Sequence, residues 1–148
     1  MNKIYLSDSG PKVSPAVYGF WRCEDTSAAG AVLMEKIINI CLELGINTFD
    51  HADRYGGYQC EELFGNVMKQ RSFKREDIVL FTKCGLNVPH ASRPDIRIRH
   101  YDTSAAHIQR SVDESLRKLR TDYIDIFLLE HLDPLSDLEE TALALEIL

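Results

Sequence analysis

The sequence predicts an α/β fold built on a parallel sheet, and three observations carry that expectation. Apolar, β-branched stretches at residues 46–49, 78–82 and 123–129 lack the alternation of a strand with one wet face, so they read as strands buried on both sides. Helical spacing fills the gaps between them, with Leu33, Ile37, Ile40 and Leu44 on one inward face and Ile108, Val112, Leu116 and Leu119 on another. Alternation of such strands and helices implies parallel pairing through right-handed crossovers.

Taken in order, the elements begin with a short strand at 16–19 and a helix that Gly45 closes from the position where a left-handed residue is wanted. The strand at 46–49 follows, then a shorter helix over 59–69 with Leu63, Phe64 and Val67 inward. The strand at 78–82, the second long helix and the strand at 123–129 come next. A last helix starts after Pro134, where Ser136 and Glu139 fit a capping box, and residues 141–148 read as its unfinished continuation. The result is four βα units. An eight-stranded barrel typically needs about 250 residues, and four units leave two open sheet edges. The alternative, a complete doubly wound sheet of the flavodoxin type, normally carries a glycine-rich phosphate loop after its first strand. Here that turn reads GFWRCEDTSAAG, with bulky Phe20, Trp21 and Arg22 where the backbone would have to approach phosphate.

Composition narrows the function. The 148 residues, 45% of them hydrophobic, suffice for one domain with its own core. A formal charge of -6 disfavours nucleic acid and anionic membrane as partners, since both demand an excess of Lys and Arg. No signal-peptide pattern and no membrane-length apolar run is visible, which makes the cytoplasm the expected compartment. Cys23, Cys41, Cys60 and Cys84 are spread without CxxC or Cys/His spacing, so reduced structural thiols and no metal are expected.

In parallel βα folds the reacting groups lie just beyond the C-terminal ends of strands. That filter selects Asp50, His51, Asp53 and Tyr55 after the second strand, Lys83 after the third, and Glu130, His131 and Asp133 after the fourth. An acid, a phenol, an ammonium and an imidazole then converge. Singly, each has a plainer role: Asp50 as a helix cap, Tyr55 as a rim aromatic, Lys83 reaching to solvent, His131 as a hydrogen-bonded core histidine. Their joint occurrence at three consecutive strand ends favours chemistry.

The segments GINTFDHADRYGGYQCEELFG, FTKCG and LLEHLDP resemble successive signature segments of the aldo-keto reductase family, over essentially the whole chain. The resemblance implies the N-terminal half, residues 1–148, of a TIM (β/α)8 barrel, present as roughly its first four βα units. It also implies reduction of an aldehyde or ketone to an alcohol with NADPH. Tyr55 would be the proton donor, Lys83 its activator, Asp50 the partner of Lys83, and His131 the group that orients the carbonyl and contacts substrate. Gly19, Phe20 and Asp50 would lie against the cofactor, and Trp21 near substrate. Most of the cofactor site, including the groups that hold the adenosine phosphates, belongs to strands five to eight in such proteins. A catalytically silent fragment that pairs its open edges with another chain is therefore the alternative.

The chemistry of these residue types stands by itself. Hydride delivery to a carbonyl leaves negative charge on oxygen, which a positioned acid must quench. A free phenol ionises near pH 10, and a neighbouring ammonium favours its anion. A carboxylate beside the ammonium keeps that charge in place. Two minor readings use the same residues differently: a Schiff-base aldolase with Lys83 as nucleophile, and a metal-dependent barrel hydrolase using His51, Asp53 and His131. The loop 87–101, with Arg93, Arg97, Arg99 and His100, reads as solvated, and Gly56 and Gly57 as relaxing the turn after Tyr55.

Overall fold

The computed structural model of the chain describes residues 2–70, 73–131 and 133–148. Its centre is a four-stranded sheet of β3 (Val17–Gly19), β4 (Thr48–Asp50), β5 (Val79–Cys84) and β8 (Ile126–Leu129), in that spatial order. Every neighbouring pair is parallel, with Gly19 beside Asp50, Asp50 beside Phe81 and Lys83 beside Leu128. The crossovers are α1 (Ala28–Glu43), α3 (Cys60–Gln70) and α4 (Ala105–Leu119), and α5 (Leu138–Glu146) follows β8. This is a partial α/β barrel.

Strand residues alternate between two faces. Phe49 and Leu80 point outward into the main core with Ile38, Phe64 and Met68 from α1 and α3. Cys84 packs farther along with Ile108 of α4 and Ala144 of α5, against the partly buried Phe127 and Leu129. The opposite, concave face carries Val17 and Leu128, which are 47% and 40% exposed.

Polar ties lock the layers together. Glu61 of α3, buried between helix and sheet, accepts hydrogen bonds from Thr82 Oγ1 at 2.6 Å and Ser115 Oγ at 3.1 Å, so one carboxyl joins α3, β5 and α4. At the N-terminal end of the strands, Asp125 accepts from Arg75 Nη2 at 2.6 Å and from the Leu80 backbone N–H at 2.8 Å. A cavity of about 610 Å³, lined by Lys12, Asn47, Val79 and Asp125, lies at this same end, opposite to Lys83 and Asp50.

Several expectations are corrected. On α1 the inward stripe is Met34, Ile38 and Cys41, whereas Leu33, Ile40 and Leu44 are 56%, 44% and 61% exposed and Ile37 packs only at the margin of the core. The helix carries two apolar stripes one residue apart, and helical periodicity alone does not say which meets the sheet. On α5 the cap is Asp137, whose Oδ1 accepts from the Glu139 and Glu140 N–H groups at 3.0 and 3.1 Å, while Ser136 Oγ meets Thr103 Oγ1 at 2.5 Å. The fourth strand starts at Ile126, and the third runs on through Lys83 to Cys84. Two hairpins were not anticipated: β1 (Ile4–Tyr5) with β2 (Lys12–Val13), and β6 (Leu86–Asn87) with β7 (His100–Tyr101). The second folds the loop 87–101 onto the protein: Ile96 is 8% exposed, and Arg93 pairs with Glu114 at 2.7 Å. Gly45, at φ 80, closes α1 as expected.

Candidate active site

The β4 backbone keeps pairing with β5 beyond the strand proper: the His51 N–H donates to the Phe81 carbonyl at 2.8 Å and the Asp53 N–H to that of Lys83 at 3.0 Å. This extension holds Asp50 and Lys83 side by side at the C-terminal end of the sheet. Lys83 Nζ donates to Asp50 Oδ1 at 2.5 Å and to the His51 carbonyl at 2.7 Å. The two side chains are 13% and 25% exposed, so the ion pair is only partly shielded.

After Ala52 the chain turns within a few residues. The Tyr55 N–H donates to the Ala52 carbonyl at 3.1 Å, and Gly56, Gly57 and Tyr58 take left-handed conformations at φ 56, 61 and 68. At Gly57 the left-handed φ favours glycine, since the atom an added Cβ would approach, His90 Cε1 at 2.3 Å, belongs to an exposed side chain that can move aside. The turn, α2 (Tyr55–Tyr58), leaves Tyr55 7% exposed with Lys83 Nζ 5.1 Å from its ring centroid. A second cation, the Arg54 guanidinium, lies 5.3 Å from the same centroid. A carboxylate, an ammonium and a phenol thus share one small volume.

His131 is placed differently. It is exposed, sits at φ 65, and meets Tyr101 edge to face with centroids 6.0 Å apart. Among the described residues no hydrogen bond or ion pair joins it to Asp50, Tyr55 or Lys83. The side chain on the same face as Lys83 is Glu130: Lys83 registers with Leu128, and Glu130 lies two residues on, its N–H donating to the Cys84 carbonyl at 2.7 Å. Its carboxylate, 10% exposed, holds Arg54 in a two-bond ion pair, with Nε donating to Oε2 at 2.8 Å and Nη2 to Oε1. Arg54 is a site residue that the strand-end filter did not select, and Glu130 is one that it selected without giving it a role. The period-two alternation from Lys83's neighbour was the signal for Glu130.

His51 turns away from the mouth. It is fully buried, stacked on Phe20 at 4.7 Å and edge to face with Phe64 at 4.5 Å. Burial, aided by the Lys83 charge, pushes its pKa down to about 3, so it stays neutral in the folded chain. Asp53 points into the layer between sheet and helices. With His51 in an aromatic nest, the two do not form a metal-binding pair.

Asp53 gives a testable pH effect. Burial, reinforced by the Glu61 carboxylate and opposed by Lys118, raises its pKa from 3.8 to about 7, and its Oδ1 has no hydrogen-bond partner among the described residues. Between those values the folded chain retains a proton that the unfolded chain has released. This group therefore opposes folding increasingly as pH rises from about 4 to about 7. His51 acts with the opposite sign, because the unfolded chain takes its proton first as pH falls below 6.5. Comparing a variant with its parent at each pH cancels the His51 contribution. Asp53→Asn is expected to stabilise the chain at pH 8 by up to about 4 kcal/mol, and by much less at pH 5. Equal shifts in Tm at the two pH values contradict the assignment.

Near the expected cofactor contacts, Gly19 lies close to the acid: a Cβ added there would be 3.7 Å from Asp50 Oδ2 and 3.6 Å from Trp21 Cδ1. Trp21 is 61% exposed, with the Arg22 guanidinium 4.4 Å from its ring centroid. Phe20 contributes backbone only, since its side chain is 4% exposed in the core.

Comparison with known proteins gives this geometry a context. The chain is 45% identical over all its 148 residues to the uncharacterized oxidoreductase YcsN of Bacillus subtilis, covering 49% of that protein. It is 42% identical over 148 residues to a 6-dehydroglucose reductase of Agrobacterium fabrum, covering 50% of it. The holo form of the aldo-keto reductase AKR11C1 from Bacillus halodurans superposes with a TM-score of 0.82 at 33% identity, over 99% of this chain and 46% of that one. The chain thus spans about half the length of the relatives it matches. No helix among the described residues is long and apolar enough to cross a membrane. The aldo/keto reductase family model matches residues 16–148, and the chain belongs to that family.

Proposed function

We propose that residues 1–148 correspond to the N-terminal half of a barrel domain that reduces an aldehyde or ketone to an alcohol with NADPH, Tyr55 supplying the proton. The observation that carries this reading is the Lys83 ammonium, bonded to Asp50 Oδ1 at 2.5 Å and lying 5.1 Å from the Tyr55 ring centroid. When bound, the reduced nicotinamide supplies hydride to the carbonyl carbon. Gly19 and Asp50 would hold the nicotinamide, and the exposed Trp21 would bound the substrate side. As negative charge grows on the carbonyl oxygen, Tyr55 donates its phenolic proton, and Lys83 and Arg54 steady the phenolate left behind. Asp50 aims Lys83 through the hydrogen bond to its Oδ1. An ammonium already bonded to Asp50 Oδ1 and the His51 carbonyl is poorly suited to act as a free-amine nucleophile, which argues against the aldolase reading. Glu130 fixes Arg54 beside the ring, and His131 enters as a rim residue that can reach substrate from the edge of the mouth.

The test is NADPH oxidation by the whole protein with a panel of carbonyl compounds that includes 6-dehydroglucose, the substrate two relatives' names specify. Carbonyl-dependent oxidation supports the reading, and none with any member sinks it. The open concave face, with Val17 and Leu128 exposed, favours a second reading in which these 148 residues are silent by themselves and associate through their sheet edges. Titrating the isolated chain with NADPH separates the two. Fluorescence quenching that saturates excludes the silent reading; no change in fluorescence or Tm, with a mass above the monomer in light scattering, supports it.

A further inference from the structure

Away from the proposed proton-transfer groups, two cysteines distant in sequence converge on one carbonyl. The Cys23 N–H donates to the Phe20 carbonyl at 2.9 Å, and Cys60 Sγ lies 3.9 Å from that same oxygen. The two segments also meet at Gly56, where an added Cβ would lie 2.7 Å from the Cys23 carbonyl oxygen and 3.2 Å from Cys60 Cβ. Their exposures differ. Cys60 is completely buried, whereas Cys23 is half-buried and lines a cavity of about 110 Å³ with Tyr18, Arg22 and Met34, open enough for a molecule of peroxide size.

We infer that Cys23 and Cys60 form a dithiol oxidation site, with Cys23 as the thiol that a hydroperoxide attacks and Cys60 as the thiol that resolves the product into a disulfide. The electrostatics divide the two roles. The neighbouring Cys60 thiol holds Cys23 below the ordinary thiol range, against burial and Asp25, which push it up. The same partnership, with burial, raises Cys60 far above that range, so Cys60 remains protonated. Thiolate character and access together select the sulfur that reacts first. Cys41 is raised by burial alone and Cys84 is pushed up to about 12, chiefly by burial, so neither competes.

The chemistry balances with one equivalent of hydrogen peroxide. The Cys23 thiolate attacks one peroxide oxygen; an S–O bond forms, the O–O bond breaks, and the displaced hydroxide takes up a proton as water. Sulfur is oxidised by two electrons and the peroxide is reduced by two. Cys60 sulfur then attacks the Cys23 sulfenic acid, the S–S bond forms, the S–O bond breaks, and the departing hydroxide leaves as a second water with the Cys60 proton. The product ties the turn after β3, which carries Trp21, to the first residue of α3, just beyond the Tyr55 turn. This inference does not depend on the reductase reading.

The test is to expose the reduced chain to equimolar hydrogen peroxide, block remaining thiols with iodoacetamide, unfold, digest without reductant and map the peptides by mass. The expected product is a linked pair through Cys23 and Cys60, two hydrogens lighter than the separate peptides, with Cys41 and Cys84 still free. In the native chain without oxidant, Cys23 should alkylate at least about tenfold faster than the other three. Cys60→Ala should leave a sulfenic acid on Cys23 that dimedone traps, and Cys23→Ala should leave Cys60 unreacted. Oxidation of Cys41 or Cys84 before Cys23, or a Cys23 sulfenic acid that persists in the parent chain without the link, overturns the assignment. The parent peptide map decides the matter even if a variant fails to fold.

Discussion

In the whole protein, Tyr55→Phe is expected to lower carbonyl reduction by about 10²–10⁴-fold while leaving NADPH affinity nearly unchanged. The substitution removes one oxygen from a ring that is 7% exposed and has two cations near it, so packing around it is retained. What disappears is the proton that neutralises the carbonyl oxygen as hydride arrives, an interaction that matters only in the transition state. The loss therefore falls on kcat rather than on cofactor binding. Turnover within a few-fold of the parent removes Tyr55 from the proton-donor role.

Lys83→Met is expected to lower the rate by a comparable factor and, unlike the tyrosine change, to destabilise the fold. Methionine fills similar volume but leaves Asp50 Oδ1 and the His51 carbonyl without their donor. Because the pair is partly exposed, at 13% and 25%, the cost is expected to be about 1–3 kcal/mol rather than that of a fully buried charge. The double change Asp50→Asn with Lys83→Met separates structure from chemistry, since it removes the stranded charge and should regain stability without regaining activity. Restored turnover in the double variant contradicts the activating role of Lys83.

The sheet was legible because its strands are short apolar runs separated by helical spacing, and the strand-end rule then pointed to Asp50, Tyr55 and Lys83 without knowledge of the loops. What stayed hidden has local physical causes. The two-residue strands of the hairpins are too short to show any period, and α1 offers two candidate stripes whose choice depends on tertiary packing. Ser136 and Asp137 are adjacent residues of equal capping ability, so sequence could not say which accepts the helix N–H groups. At the end of β8, choosing the imidazole by residue type pointed to His131, whereas the alternation that continues from Leu128 puts Glu130 on the inner face. Arg54 was invisible for another reason: its place is fixed by a carboxylate 76 residues away.

The reductase reading is tested most directly by following the transferred hydrogen. NADPH deuterated at the nicotinamide C4 position that donates hydride, incubated with the whole protein and an aldehyde in ordinary water, is predicted to place deuterium on the carbinol carbon of the alcohol. The Tyr55→Phe protein, with cofactor bound, should make that product at least about a hundred times more slowly. Alcohol formed without deuterium, or no alcohol from any carbonyl offered to the cofactor-bound protein, contradicts the account.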